Sequence, residues 1–108
     1  MSERPFPETA ELEFEWDPRK NRANVLKHDI SFENARRAFS GPMLHRIDKR
    51  RNYGEVRWLG LGRINDVVVM IAFTMRSGKV RIISARRANR NEAKEYEQIF
   101  GHQKGPGR

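Results

Sequence analysis

Two rhythms of apolar residues run along this chain, a period of two that marks strands and a period of three to four that marks helices. Glu11-Leu12-Glu13-Phe14-Glu15-Trp16 alternates acid with apolar, so Leu12, Phe14 and Trp16 should face a core from a half-buried strand. Asp17-Pro18 follows as an N-cap and a proline at the first helical position. The helix it opens should run to about Lys27, with Ala23, Leu26 and Ile30 inward and Arg19, Lys20, Arg22 and Lys27 outward. Ser31 can cap a second helix over Phe32 to Phe39, whose Phe32, Ala35 and Phe39 share one face, and Gly41-Pro42 ends it.

Met43 to Asp48 reads as a further strand, and Lys49-Arg50-Arg51-Asn52-Tyr53-Gly54 as a basic loop. Glu55 to Gly62 alternates again, with Glu55, Arg57, Leu59 and Leu61 on one face and Val56 and Trp58 on the other. After a turn over Arg63 to Asp66, Val67 to Phe73 is apolar on both sides, the pattern of a central strand. Arg76-Ser77-Gly78-Lys79 should turn the chain into a last strand, Val80 to Ser84. Asn89-Arg90-Asn91-Glu92 has the form of a capping box, opening a helix with Ala93, Tyr96 and Phe100 inward. Consecutive hairpins imply an α+β fold, a mainly antiparallel sheet with helices on one face, in the order β-α-α-β-β-β-β-α. One domain is expected over 10–100, between a loose lead at 1–9 and a tail at 101–108.

Composition changes this picture chiefly through charge. With no cysteine there is no disulfide framework, no thiolate metal site and no cysteine nucleophile. His28, His45 and His102 lie too far apart for metal-ligand spacing, so neither metal nor cofactor is expected. No apolar run approaches a membrane span, and the acidic N-terminus does not resemble a signal peptide, which points to the cytoplasm.

The net charge is +8, but residues 1–17 hold six acids against Arg4 alone, leaving 21 Lys and Arg against 8 acids in the rest. That balance favours nucleic acid or an acidic protein as partner. The densest stretch runs from Arg76 to Asn91, with six basic residues and no acid. A cationic strand end leading into a helix N-terminus suits a polyanion, because free N–H groups and the positive dipole end add to the arginines. A basic edge strand kept charged against edge-to-edge pairing would show the same run. The apolar flanks of Arg81 suggest a half-buried site instead.

An ordered set of residues points further. It comprises Phe14-Glu15-Trp16-Asp17, Lys20, Asn24, Lys27-His28, Ser31-Phe32-Glu33-Asn34-Ala35 and Phe39. It continues with Glu55, Arg57, Gly60, the run Arg81-Ile82-Ile83-Ser84-Ala85-Arg86-Arg87-Ala88, then Glu92 and Tyr96. This set, spanning roughly residues 12 to 100, resembles the BrnT family of toxins from type II toxin–antitoxin systems. Asp29 departs from it, standing where many relatives are expected to carry the glycine that eases a left-handed turn. The resemblance implies a RelE-like fold and a metal-independent ribonuclease that blocks translation when free. It also implies neutralisation by a cognate BrnA-like antitoxin with a ribbon-helix-helix domain, the complex alone binding operator DNA.

Metal-free RNA cleavage needs a base for the 2′-hydroxyl proton, cations for the phosphorane charge and an acid for the leaving 5′-oxygen. Arg57, Arg81 and Arg86 suit the cation role, since a guanidinium can hold two phosphate oxygens at once. Glu55 shares a strand face with Arg57, which suits a base beside a phosphate clamp and equally an ion pair. His28, ending the first helix, has the ring suited to carrying protons, although a histidine there also serves the last carbonyls and the dipole. Given the resemblance, His28 joins Glu55, Arg57, Arg81 and Arg86 as a catalytic candidate, with Lys27, Arg50, Arg51, Tyr53 and Arg87 as RNA contacts. Tyr53 is the better base-stacking candidate, because Trp58 shares a face with Val56 and belongs to the core. A basic nucleic-acid-binding module without catalysis, or a partner whose basic face only receives an acidic antitoxin segment, would satisfy the charge pattern too.

Overall fold

The computed structural model describes residues 12–101. The expected element order holds: β1 (Phe14–Glu15), α1 (Pro18–His28), α2 (Phe32–Ala35) running into a 3₁₀ turn (Arg36–Ser40), β2 (Leu44–Ile47), β3 (Trp58–Ile64), β4 (Val67–Arg76), β5 (Lys79–Arg87) and α3 (Arg90–Phe100). The strands form one sheet in the order β1-β5-β4-β3-β2, with β4 central as its apolar run predicts. All neighbours are antiparallel except β1, which adds to β5 in parallel through Phe14 opposite Val80 and Glu15 opposite Arg81.

Local signals set the boundaries. Asp17 Oδ1 accepts a hydrogen bond from the Arg19 amide, and Pro18 occupies the first helical position. Ser31 caps α2 through the Asn34 amide, and Asn89 with Glu92 completes a reciprocal capping box at α3. Ser77 and Gly78, both at positive φ, make the tight turn between β4 and β5. Asp29 takes the left-handed conformation at the end of α1, where glycine would cost less.

The helices lie on both faces of the sheet, not on one. Phe32, Ala35, Ala38 and Phe39 from α2 and the 3₁₀ turn pack with Val69, Ile71, Phe73, Val80, Ile82 and Ala85 to form the main core. On the other face α3 closes a smaller cluster of Leu61, Val68, Met70 and Tyr96. The alternating residues of β4 divide between these two clusters, which is why its whole run is apolar. Gly62 lets the 3₁₀ turn approach, since a Cβ there would meet Ala38 Cβ at 2.9 Å.

Two further expectations give way. Ala23 is exposed and Leu26 is 89% exposed, whereas Asn24 is the buried residue of α1. The reason is an open strand edge: β1 covers β5 only at Val80 and Arg81, leaving the backbone of Ala85 unpaired. Asn24 replaces the missing strand, its Nδ2 donating to the Ala85 carbonyl at 2.8 Å and its Oδ1 accepting from the Ala85 amide at 3.1 Å. The same Nδ2 also donates to the Ile30 carbonyl. Helix α1 therefore docks through an asparagine. Second, Arg86 and Arg87 belong to β5 itself, while Glu55 and Arg57 precede the regular part of β3. The lead at 1–9 and His102 lie outside the described residues.

Candidate active site

The covering of the sheet by α3 is incomplete, and the uncovered part is lined with charged side chains. A groove of about 530 Å³ opens there, lined by Lys27, His28, Arg46, Arg50, Leu59, Met70, Ala72, Ser84, Arg86 and Glu92. Four lysine or arginine side chains and one histidine face a single carboxylate across it. Asn24 ties α1 to β5, and this brings Lys27 and His28, in the last turn, to the groove rim. The groove floor is apolar, contributed by β3 and β4, which keeps the charges at its walls.

A β-bulge decides which arginines of β5 reach this face. Phe73 pairs with Ile82 but Ala72 pairs with Ser84, so Ile83 is the extra residue. In a regular strand Arg81 and Arg86, five positions apart, would point to opposite faces. After the bulge both oppose the residues of β4 that turn toward α3, Arg81 against Thr74 and Arg86 against Met70. Arg87, opposite Val69, is sent to the other face, where it borders a smaller pocket with Asp29, Asn34 and Asn65.

Carboxylates fix the arginine forks. Arg86 Nη1 and Nη2 donate to Glu92 Oε1 and Oε2 at 2.8 and 2.9 Å, while Oε1 also accepts from the Asn89 amide of the capping box. The hydrogen bonds from Arg86 hold the Glu92 carboxyl below its ordinary value, and Glu92 raises Arg86 in return. Arg50 grips Asp48 through Nε and Nη2, both at 2.8 Å, and Tyr53 donates its hydroxyl to Asp48 Oδ2 at 2.9 Å. Those contacts, led by Arg50, hold the buried Asp48 carboxyl far below the usual carboxylate range.

Of the residues singled out in the sequence, His28, Lys27, Arg50 and Arg86 meet in the groove. Arg81 lies further along the same face, paired with Glu15 at 3.2 Å. Glu55 is held by Arg76 at 3.2 Å and by Arg57 at 3.7 Å, the ion-pair arrangement of that carboxylate. Arg57 also lies over the Tyr53 ring, 4.1 Å from its centre, with Arg51 at 5.8 Å. Trp58 packs against the main core, as its strand face predicts. Arg46 and Ser84 were not singled out. Neither was legible in the sequence, because Arg46 reaches the groove through its register opposite Leu59 and the direction of Ser84 depends on the bulge.

Comparison with known proteins gives this geometry a family. No curated protein sequence matches the chain. Its fold matches the crystal structure of the Brucella abortus ribonuclease toxin BrnT with a TM-score of 0.55 and 19% sequence identity, covering 74% of this chain and all of that one. The family model described as "Ribonuclease toxin, BrnT, of type II toxin-antitoxin system" matches residues 16–92, from the last residue of the opening apolar alternation to the carboxylate that holds Arg86. The chain therefore belongs to the BrnT family of ribonuclease toxins, whose members act within type II toxin–antitoxin systems.

Proposed function

We propose that this protein is an endoribonuclease that cuts RNA without a metal ion, by attack of the 2′-hydroxyl on the adjacent phosphate, and so inhibits translation. The groove carries this reading: four permanent cations and a histidine around one carboxylate, on a floor of Leu59, Met70 and Ala72. Arg86, Arg46 and Lys27 hold the scissile phosphate and steady the added charge of the phosphorane, and Arg50 holds the phosphate of the neighbouring nucleotide. The 2′-oxygen bonds to phosphorus as its proton passes to His28. The bond from phosphorus to the 5′-oxygen then breaks, and the protonated imidazole returns the proton to that oxygen. The products are a 2′,3′-cyclic phosphate and a 5′-hydroxyl.

Glu92 lines the groove with both carboxylate oxygens bonded to Arg86, so its part is to orient that arginine. Glu55 acts in the same way on Arg57. Arg57, Arg81, Arg51 and Tyr53 extend the basic track for the flanking strand, whereas Arg87, turned to the other face, lies outside that track. The antitoxin partner that the family implies is a ribbon-helix-helix protein, and the operator is bound only through that complex.

The test uses purified, antitoxin-free protein and single-stranded RNA in EDTA. Wild type should leave 5′-hydroxyl ends, and Arg86→Ala should lose about 10- to 150-fold in rate if one charged hydrogen bond of the transition state is removed. RNA that is bound in a salt-dependent way but never cut, on or off the ribosome, would leave a binding module instead.

A further inference from the structure

The loop between β2 and β3 has no regular secondary structure, yet its form is fully specified. Its ends are joined by the Asp48 amide donating to the Arg57 carbonyl at 2.8 Å. Inside it, Asp48 Oδ1 accepts from the Arg50 amide at 3.1 Å and from Arg50 Nε, while Oδ2 accepts from Arg50 Nη2 and the Tyr53 hydroxyl. Gly54, at φ 76°, and the bond from its amide to Asn52 Oδ1 turn the chain back. The Asp48 side chain is 2% exposed and the Arg50 side chain 70%. A buried anion thus anchors an exposed cation.

Burying a carboxylate is a costly way to hold a loop, and none of its partners belongs to the core. One of them, Arg50, reaches the groove, and Tyr53 stands beside it on the same carboxylate. Arg50 lines the groove with three of its five N–H donors left over after Asp48 has taken two. Tyr53, held by its hydroxyl, carries the Arg57 guanidinium on its ring, and a guanidinium plane so supported offers a flat surface to a nucleobase.

We infer that Asp48 is a positioning residue for RNA. It folds the loop so that Arg50 and the Tyr53–Arg57 stack form a subsite for one nucleotide of single-stranded RNA beside the scissile phosphate. The phosphate lies on Arg50 and the base against Arg57. This inference rests on the RNA-cleaving reading given above.

The experiment pairs two RNAs of one sequence. One is fully 2′-O-methylated, hence uncleavable, with 2-aminopurine as a stacking reporter; the other is cleavable. Wild type should bind the first with quenched fluorescence. Asp48→Asn, if folded by circular dichroism, should bind it about tenfold more weakly with the quench lost. On cleavable RNA its KM should rise about tenfold, while kcat falls less than threefold. Tyr53→Phe keeps the ring and the Asp48–Arg50 pair, and should raise KM about threefold. Wild-type KM and quench in Asp48→Asn, or a kcat loss at unchanged KM, overturns the inference. If Asp48→Asn does not fold, wild-type KM in Tyr53→Phe overturns it. Wild type that binds neither RNA overturns the ribonuclease reading itself, a failure visible before any variant is made.

Discussion

The two faces of the sheet are made by the same strands, yet one is finished with hydrocarbon and the other is left half open to charge. On the α2 face, Phe14, Phe39 and Phe73 meet edge to face at 5.2 and 5.1 Å between ring centres, and Ile71, Val80 and Ile82 fill the space around them. On the α3 face a smaller cluster of Leu61, Val68, Met70 and Tyr96, the tyrosine hydroxyl donated to the Pro42 carbonyl at 2.8 Å, closes one end, and arginines held by acids border the open part. Apolar packing gains from every neighbour and has no use for an opening. Fixed guanidinium forks need the opposite, a wall that holds them and free space for a polyanion. The division places the larger apolar core on one face and the cationic groove on the other.

The largest effect that tests this division is in the core. Phe73→Ala, at a fully buried position, should lower unfolding free energy by about 3–5 kcal/mol in a denaturant titration, as phenylalanine truncations in cores do. A loss below about 1 kcal/mol would mean that the α2 face is not the stabilising one.

Next comes the residue that links the faces. Asn24→Ala strips the Ala85 amide and carbonyl and the Ile30 carbonyl of their partner, at a cost of about 2–4 kcal/mol. Because Lys27 and His28 ride on the same helix, RNA cleavage should fall below what the surviving folded fraction accounts for. Cleavage in proportion to the folded fraction would separate α1 from the site. The smallest effect belongs to Leu26. Leu26→Ser should change stability by no more than about 0.5 kcal/mol, since the side chain meets solvent. A loss of 2 kcal/mol would restore the inward-facing leucine that helical periodicity suggests.

That leucine shows where pattern reading stops. Caps and turns were legible because each is a contact within three or four residues: Asp17 with Arg19, Ser31 with Asn34, Asn89 with Glu92. The helix face of α1 was not, because it is chosen by the unpaired edge of Ala85, 61 positions away. Periodicity assumes that a helix docks by its apolar side, and here a hydrogen-bond deficit in the sheet outweighs it. The same holds for Glu55, where the alternation places it beside Arg57 but cannot reveal that Arg76 holds it as well.

From the sequence alone came the element order, the central strand, the two basic stretches and the family, all carried by local rhythm, turn chemistry and an ordered set of side chains. The tertiary structure alone decided that α3 lies across the sheet from α2. It also decided that one extra residue in β5 turns Arg81 and Arg86 to one face and Arg87 to the other. It decided as well that Asp48, unremarkable in the chain, is the buried anchor of the basic loop. Side-chain direction in a strand is a parity, and a single bulge inverts it for every residue that follows.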